Sequence, residues 1–116
     1  MNKLIVYQGS NGPNQKFRLK SVGNGFFQIF SAKDGLTIES TNNQKGAKIY
    51  ASQPNNQPNE FWQFVPSTNQ KFQGKHAFAI KGISGRALDI EGGNAVNDAD
   101  ICEWDYHGGD NQVWII

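Results

Sequence analysis

Five residues in the last third of the chain have side chains suited to holding a sugar: Asp89, Trp104, His107, Asn111 and Gln112. An aromatic face stacks on the apolar C–H face of a pyranose. A carboxylate accepts hydrogen bonds from two adjacent hydroxyls, and an asparagine amide both donates and accepts. Asp89 is the expected acceptor, Trp104 the platform and Asn111 the amide, with His107 as a fourth contact and Gln112 in support. Asp105, Tyr106 and the Gly92-Gly93-Asn94 loop would form the rim. Taken singly, each residue has an ordinary role: a strand tryptophan is commonly buried, and an aspartate beside a turn commonly bonds to backbone amides. The two readings part at Trp104, which is exposed in a binding site and buried in a pure scaffold.

These residues sit in a stretch that recurs. Residues 101–114, from Ile101 through Trp104 and Gly108-Gly109 to Asn111-Gln112-Val113-Trp114, match residues 49–62 after a shift of 52. That shift sets Ile49 on Ile101, Asn59 on Asn111 and Trp62 on Trp114. Residues 4–17 match after a shift of 97, which sets Tyr7 on Trp104, Asn14 on Asn111, Gln15 on Gln112 and Phe17 on Trp114. Repeats of this period signal stacked or symmetric units.

The elements between the copies repeat as well. Phe27-Gln28-Ile29, a turn at Lys33-Asp34-Gly35 and Leu36-Thr37-Ile38-Glu39 match Phe78-Ala79-Ile80, a turn at Ser84-Gly85 and Ala87-Leu88-Asp89-Ile90. Glu39 thereby corresponds to Asp89. Two complete units span about 24–65 and 75–116, joined by an insertion-like connector at Pro66–Gly74, and a partial unit spans about 1–23. If each unit has four strands, ten of twelve are present. Weaker sites are expected where the other units keep part of the set: Glu39 and Asn59 in the second, with Ser52 at the platform position, and Tyr7 and Asn14 in the first. Lys16 to Lys20 alternates charged and apolar residues, the pattern of a strand with one wet face.

Ser84-Gly85-Arg86-Ala87-Leu88-Asp89-Ile90, Ile101-x-x-Trp104 and Gly108-Gly109-Asp110-Asn111-Gln112-Val113-Trp114 resemble the ricin B-type (R-type) lectin family, through its Gln-x-Trp repeat and its Ser-Gly-x-x-Leu-Asp-Val motif. The resemblance covers most of the chain: strongly the third unit, moderately the second, and half a unit in the first. It implies an all-β fold, a β-trefoil of three pseudo-symmetric repeats of which the first is incomplete. In that fold a six-stranded barrel is capped by three hairpins. It also implies that Trp114, Trp62 and the substituted Phe17 fill the core, and that Gln112 and Gln15 satisfy buried polar groups, with Glu60 replacing that glutamine in the second unit. The implied ligand is galactose or N-acetylgalactosamine, with mannose, xylose-type chains and larger glycans open.

Composition agrees with one all-β domain over residues 1–116: 37% hydrophobic and 12% aromatic residues, with 13 glycines marking turns. A net charge of +1 with acids and bases interspersed leaves no footprint for nucleic acid or an anionic membrane. The lone Cys102 excludes an internal disulfide and reads as a buried thiol. The apolar run after Met1 is too short for a signal peptide, and no stretch inserts into a membrane, so a cytoplasmic or non-classically secreted protein is expected. A Gly-x-Ser-x-Gly elbow, a His-Glu-x-x-His pair and a phosphate loop are all missing. Asp98, Asp100 and Glu103 read as solvated acids on a strand end rather than as a glycosidase pair.

The expected activity is therefore non-catalytic binding of glycans or glycoconjugates without metal or cofactor. Two rivals are a protein-interaction trefoil with a vestigial sugar pocket, such as a protease inhibitor or toxin-complex subunit, and a carbohydrate-binding module of a larger glycan-degrading enzyme. A barrel short of one strand exposes backbone along a gap. That predicts either a homodimer covering the missing half-repeat or a chain that is a fragment of a longer natural domain.

Overall fold

Among the described residues, short runs rich in apolar and β-branched side chains fold into ten strands. They are β1 (Asn2–Lys3), β2 (Phe17–Gly23), β3 (Phe26–Ser31), β4 (Thr37–Ser40), β5 (Ile49–Ser52), β6 (Gln63–Pro66), β7 (Ala77–Lys81), β8 (Ala87–Ile90), β9 (Ile101–Trp104) and β10 (Trp114–Ile115). The computed structural model describes residues 2, 3, 17–31, 34–74, 76–90 and 101–115. Among them there is no α-helix, only 3-10 turns at Pro58–Glu60, Gln70–Phe72 and Asp110–Gln112. The hairpin from β2 to β3 turns on Asn24 and Gly25, both at positive φ (55° and 80°), the residue pair that a tight two-residue turn favours.

The strands pair antiparallel in two sheets. One runs in the order β1-β5-β4-β3-β2, the other β10-β7-β8-β9, with β6 also on β7. Within each complete unit the inner strands form a hairpin, β4 with β5 and β8 with β9. The outer strands face one another through a Phe27–Trp62 bridge in the second unit and through the β7–β10 ladder in the third. The hairpin registers match: Glu39 lies opposite Tyr50 as Asp89 lies opposite Cys102. This is a β-trefoil, with β1 and β2 as the described strands of the first repeat.

The core repeats the same pairing of positions. Ile29, Ile38, Ile49 and Trp62 from the second unit pack with Ile80, Leu88 and Ile101 from the third, with Phe64 and Trp114 against them. The indole Nε1–H of Trp62 donates to the Ile38 carbonyl at 3.0 Å, and that of Trp114 to the Leu88 carbonyl at 3.2 Å. Each ring thus adds its apolar area to the core while its one polar group is satisfied on the adjoining hairpin. Cys102 is buried, as expected.

Three expectations are corrected. Phe17 does not join the core: it is 45% exposed. Nor does β2 have one wet face, because Leu19 is also 47% exposed, leaving its apolar side in solvent. Among the described residues β2 bonds only to β3 and ends its sheet; alternation decides which residues share a face, not whether anything packs on it. Glu103 is fully buried rather than solvated, whereas Asp98 and Asp100 lie outside the described residues.

The Glu103 carboxylate accepts from the hydroxyls of Ser40 on β4 and Ser84 in the β7–β8 turn. Its backbone pairs with the second unit too, through Gly46 N–H to Glu103 O at 2.7 Å and Glu103 N–H to Ala47 O at 2.9 Å. Burial pushes its carboxyl above the ordinary 4.5, against the opposing pull of the two hydroxyls and the Arg86 charge. With the folded value above the unfolded one, stability is lost as pH rises through the folded value. The melting temperature of Glu103→Gln should therefore gain on the wild type from about pH 4 to about pH 7. A difference that stays flat across that interval contradicts this account of the buried charge.

Candidate functional site

The third repeat brings four of its five expected residues into bonded contact. Asp89, on β8, is only 6% exposed. Asn111 Nδ2–H donates to its Oδ1 at 3.0 Å, and Gln112 Nε2–H donates to its Oδ2 at 2.8 Å. His107 Nε2 lies 3.7 Å from the same Oδ2. A carboxylate has about four acceptor positions, so these two short bonds orient the group and leave capacity for ligand hydroxyls.

Local backbone sets this geometry. The 3-10 turn Asp110–Gln112 points Gln112 inward, where its Oε1 accepts from the amides of His107 (2.9 Å) and Gly108 (3.1 Å). Its Nε2 also donates to the Asp105 carbonyl at 3.0 Å. Gly109 N–H donates to His107 Nδ1 at 3.0 Å, which makes that nitrogen the acceptor and leaves Nε2–H as a donor beside Asp89. A Cβ at 109 would lie 2.7 Å from the imidazole, so a larger residue there would displace His107. Asn111 donates further to the Ile90 carbonyl at 3.4 Å.

Trp104 closes β9 and is 41% exposed. It pairs with Ala87, so it shares a face with Asp89, two residues along β8. Its far side is lined by the second unit. Lys45 Nζ stands 4.7 Å from the ring centroid, and a Cβ on Gly46 would touch the ring at 3.8 Å. Next to it, Asp105 is shared by Lys45 at 3.0 Å and Arg86 at 3.4 Å. The Lys45 bond above all holds the Asp105 carboxyl below its ordinary range. The connector supports the other end of the loop: Asn69 Nδ2–H reaches Gly108 O (3.1 Å) and Asp110 Oδ1 (3.0 Å), and Lys71 pairs with Asp110 at 2.6 Å. None of Lys45, Asn69 and Lys71 was expected from sequence, since nothing in the repeat spacing shows which loop of one unit packs behind the site of the next.

The second repeat has the backbone of the site but not the bonds that orient its carboxylate. Glu60 takes the place of Gln112 and accepts the equivalent loop amides, of Asn55 and Asn56, at 2.9 and 3.0 Å. Its Oε1 accepts from Gln28 Nε2 at 2.9 Å, and a carboxylate has no hydrogen to offer Glu39. Asn59 donates to the Ser40 carbonyl at 2.9 Å, and the Glu39 carboxylate makes no hydrogen bond among the described residues. Tyr7, Asn14 and the Gly92–Asn94 loop lie outside the described residues. Also among the described residues, no cluster of three or more His, Cys, Asp or Glu could hold a metal ion, and no helix is long and apolar enough to cross a membrane.

The sequence profile of ricin-type β-trefoil lectin-like domains matches residues 13–76, more than half of the chain. The chain belongs to this family. A search of curated proteins gives no match. Among solved structures, the ricin-type fold seen here superposes on ThreeFoil, a designed 3-fold symmetric protein, with a TM-score of 0.84 and 27% identity over 99% of this chain and 81% of that one. It superposes on a Macrolepiota procera ricin B-like lectin, solved in complex with lactose, with a TM-score of 0.80 and 20% identity over 97% and 77% of the two chains. An exo-β-1,3-galactanase from Clostridium thermocellum gives a TM-score of 0.83 at 20% identity, over 94% of this chain and only 23% of that enzyme.

Within this ricin-type domain, exchanging Gln112 for glutamate should reproduce the second repeat's chemistry in the third. A carboxylate would then face Asp89 Oδ2 across the distance of the present 2.8 Å bond. Like charges so close raise one pKa and cost more as both ionise. Gln112→Glu should lower the melting temperature more at pH 8 than at about pH 4. Equal losses at both would show that the bond to Asp89 contributes nothing specific.

Proposed function

We propose that this ricin-type domain is a lectin that binds galactose- or N-acetylgalactosamine-type glycans through its third repeat, without catalysis, metal or cofactor. The observation that carries the reading is the Asp89 carboxylate, oriented by Asn111 and Gln112 beside an exposed Trp104. Two neighbouring sugar hydroxyls would donate to Asp89, the C–H face would rest on Trp104, and His107 Nε2–H would supply a donor. Asn111 Oδ1 accepts no hydrogen bond among the described residues and would accept one from a hydroxyl. The lactose complex of the similar mushroom lectin favours galactose as the first sugar to test. Exposure of Trp104 weighs against an interaction trefoil with a vestigial pocket. The likeness to a domain-sized part of a galactanase favours, as a second reading, a carbohydrate-binding module of a larger enzyme.

A glycan array run with wild type and Trp104→Ala tests this. The variant should lose about tenfold or more in affinity for every glycan the wild type binds, while a cooperative thermal melt shows that it still folds. A well-folded wild type that binds no glycan removes the lectin reading. Binding that survives in the variant moves the site elsewhere.

For partners, we infer a homodimer over β2, supported by the exposure of Phe17 and Leu19 on a strand that, among the described residues, ends its sheet. Such apolar edges attract other chains, and a second copy is the partner present whenever the protein is. Sedimentation should give a dimer for the wild type and a monomer for Leu19→Ser. A wild type that stays monomeric at high concentration excludes it.

A further inference from the structure

The register of three strands builds a surface beside the sugar pocket. Lys81 on β7 pairs with Ala87 on β8, and Ala87 pairs with Trp104 on β9. Paired residues point to the same side of a sheet, so the three form a row with the small alanine in the middle. Past β9 the row continues to Lys45, over the Trp104 ring. Two residues beyond Trp104, Tyr106 is also exposed, and Lys81 Nζ stands 4.2 Å from its ring centroid. Arg86, next to Ala87, reaches Asp105.

Three cations, Lys45, Lys81 and Arg86, line this strip, where the exposed carboxylate is Asp105 and those of Asp89 and Glu103 are buried. Asp105 is divided between Lys45 and Arg86. Lys81 has no carboxylate partner among the described residues and rests on an aromatic face. A cation–π contact at an exposed position is weak, and an incoming anion with charge-assisted hydrogen bonds outcompetes it.

We propose that Lys81 and Tyr106 form a second subsite, contiguous with the Asp89 pocket, for a sugar carrying an anionic group, a carboxylate or a sulfate. The inference rests on the third repeat being a glycan site. A sugar in the Asp89 pocket, stacked on Trp104, extends along the exposed Trp104 and Tyr106 rings, above the buried Ala87, to a neighbour that contacts Tyr106. The anionic group of that neighbour takes the Lys81 ammonium, with Arg86 and Lys45 supplying the positive field.

Calorimetric titration of a neutral oligosaccharide against its uronate and sulfated counterparts tests the subsite. The acidic form should bind about fivefold more tightly at low salt, and the advantage should vanish at high salt. It should also vanish in Lys81→Gln and persist in Lys81→Arg, with neutral-sugar affinity unchanged in both. Preference for the uronate alone assigns a carboxylate, and for the sulfated form alone a sulfate. Equal wild-type affinity for neutral and acidic glycans, or an acidic preference that survives Lys81→Gln, overturns the proposal while leaving the lectin reading intact. Failure of every glycan to bind, neutral ones included, overturns the lectin reading and this subsite with it.

Discussion

The side-chain amide of Gln112 is the contact on which the candidate site depends. An amide has two acceptor positions and two donor hydrogens, and all four are in use: two loop N–H groups into Oε1, and Asp89 with the Asp105 carbonyl from Nε2. One buried residue therefore folds the 105–109 loop, fixes that loop to β8 and aims the carboxylate. Hydrogen bonds made in the low dielectric of a protein interior are strong when complete and costly when broken. A buried tetradentate amide accordingly makes the loop rigid, and His107 and Asn111 inherit their positions from it.

The two complete repeats show how little separates a formed site from an unformed one. Their strands, hairpin registers, core positions and 3-10 turns correspond. Asn56 and Gly108 even share a positive φ at equivalent places, 57° and 76°. The difference lies in side chains: Glu60 for Gln112 and Ser52 for Trp104. Glu60 still organises its loop but only accepts, so it cannot tether Glu39. Meanwhile the second repeat supports its neighbour, lining Trp104 with Lys45 and Gly46, while the connector that follows it pins Gly108 and Asp110 with Asn69.

Much of this was legible in the residues. The shift of 52 aligned the two complete units, and turn chemistry at Gly23-Asn24-Gly25 and Ser84-Gly85 bounded the strands. Asp89, His107, Asn111 and Gln112 converge as their spacing implied, because all four are placed by elements local to one repeat. What was not legible depends on contacts between units. Glu103 looks solvated by its acidic neighbours, yet the serines that bury it come from β4 and from the β7–β8 turn. Phe17 occupies a core position by alignment, but a residue reaches the core only if something packs on its face of the strand, and alignment is blind to that.

The three tryptophans of the chain sit in three different surroundings: Trp62 sealed in the core, Trp114 at its margin, and Trp104 open to solvent beside the candidate pocket. Their emission is therefore separable without any label. A soluble quencher reaches Trp104 and leaves Trp62 dark to it, so quenching reports the exposure of the Trp104 ring, while the blue-shifted remainder reports the integrity of the barrel. The fold thus carries an intrinsic optical readout in which a change at the candidate pocket and unfolding move different signals.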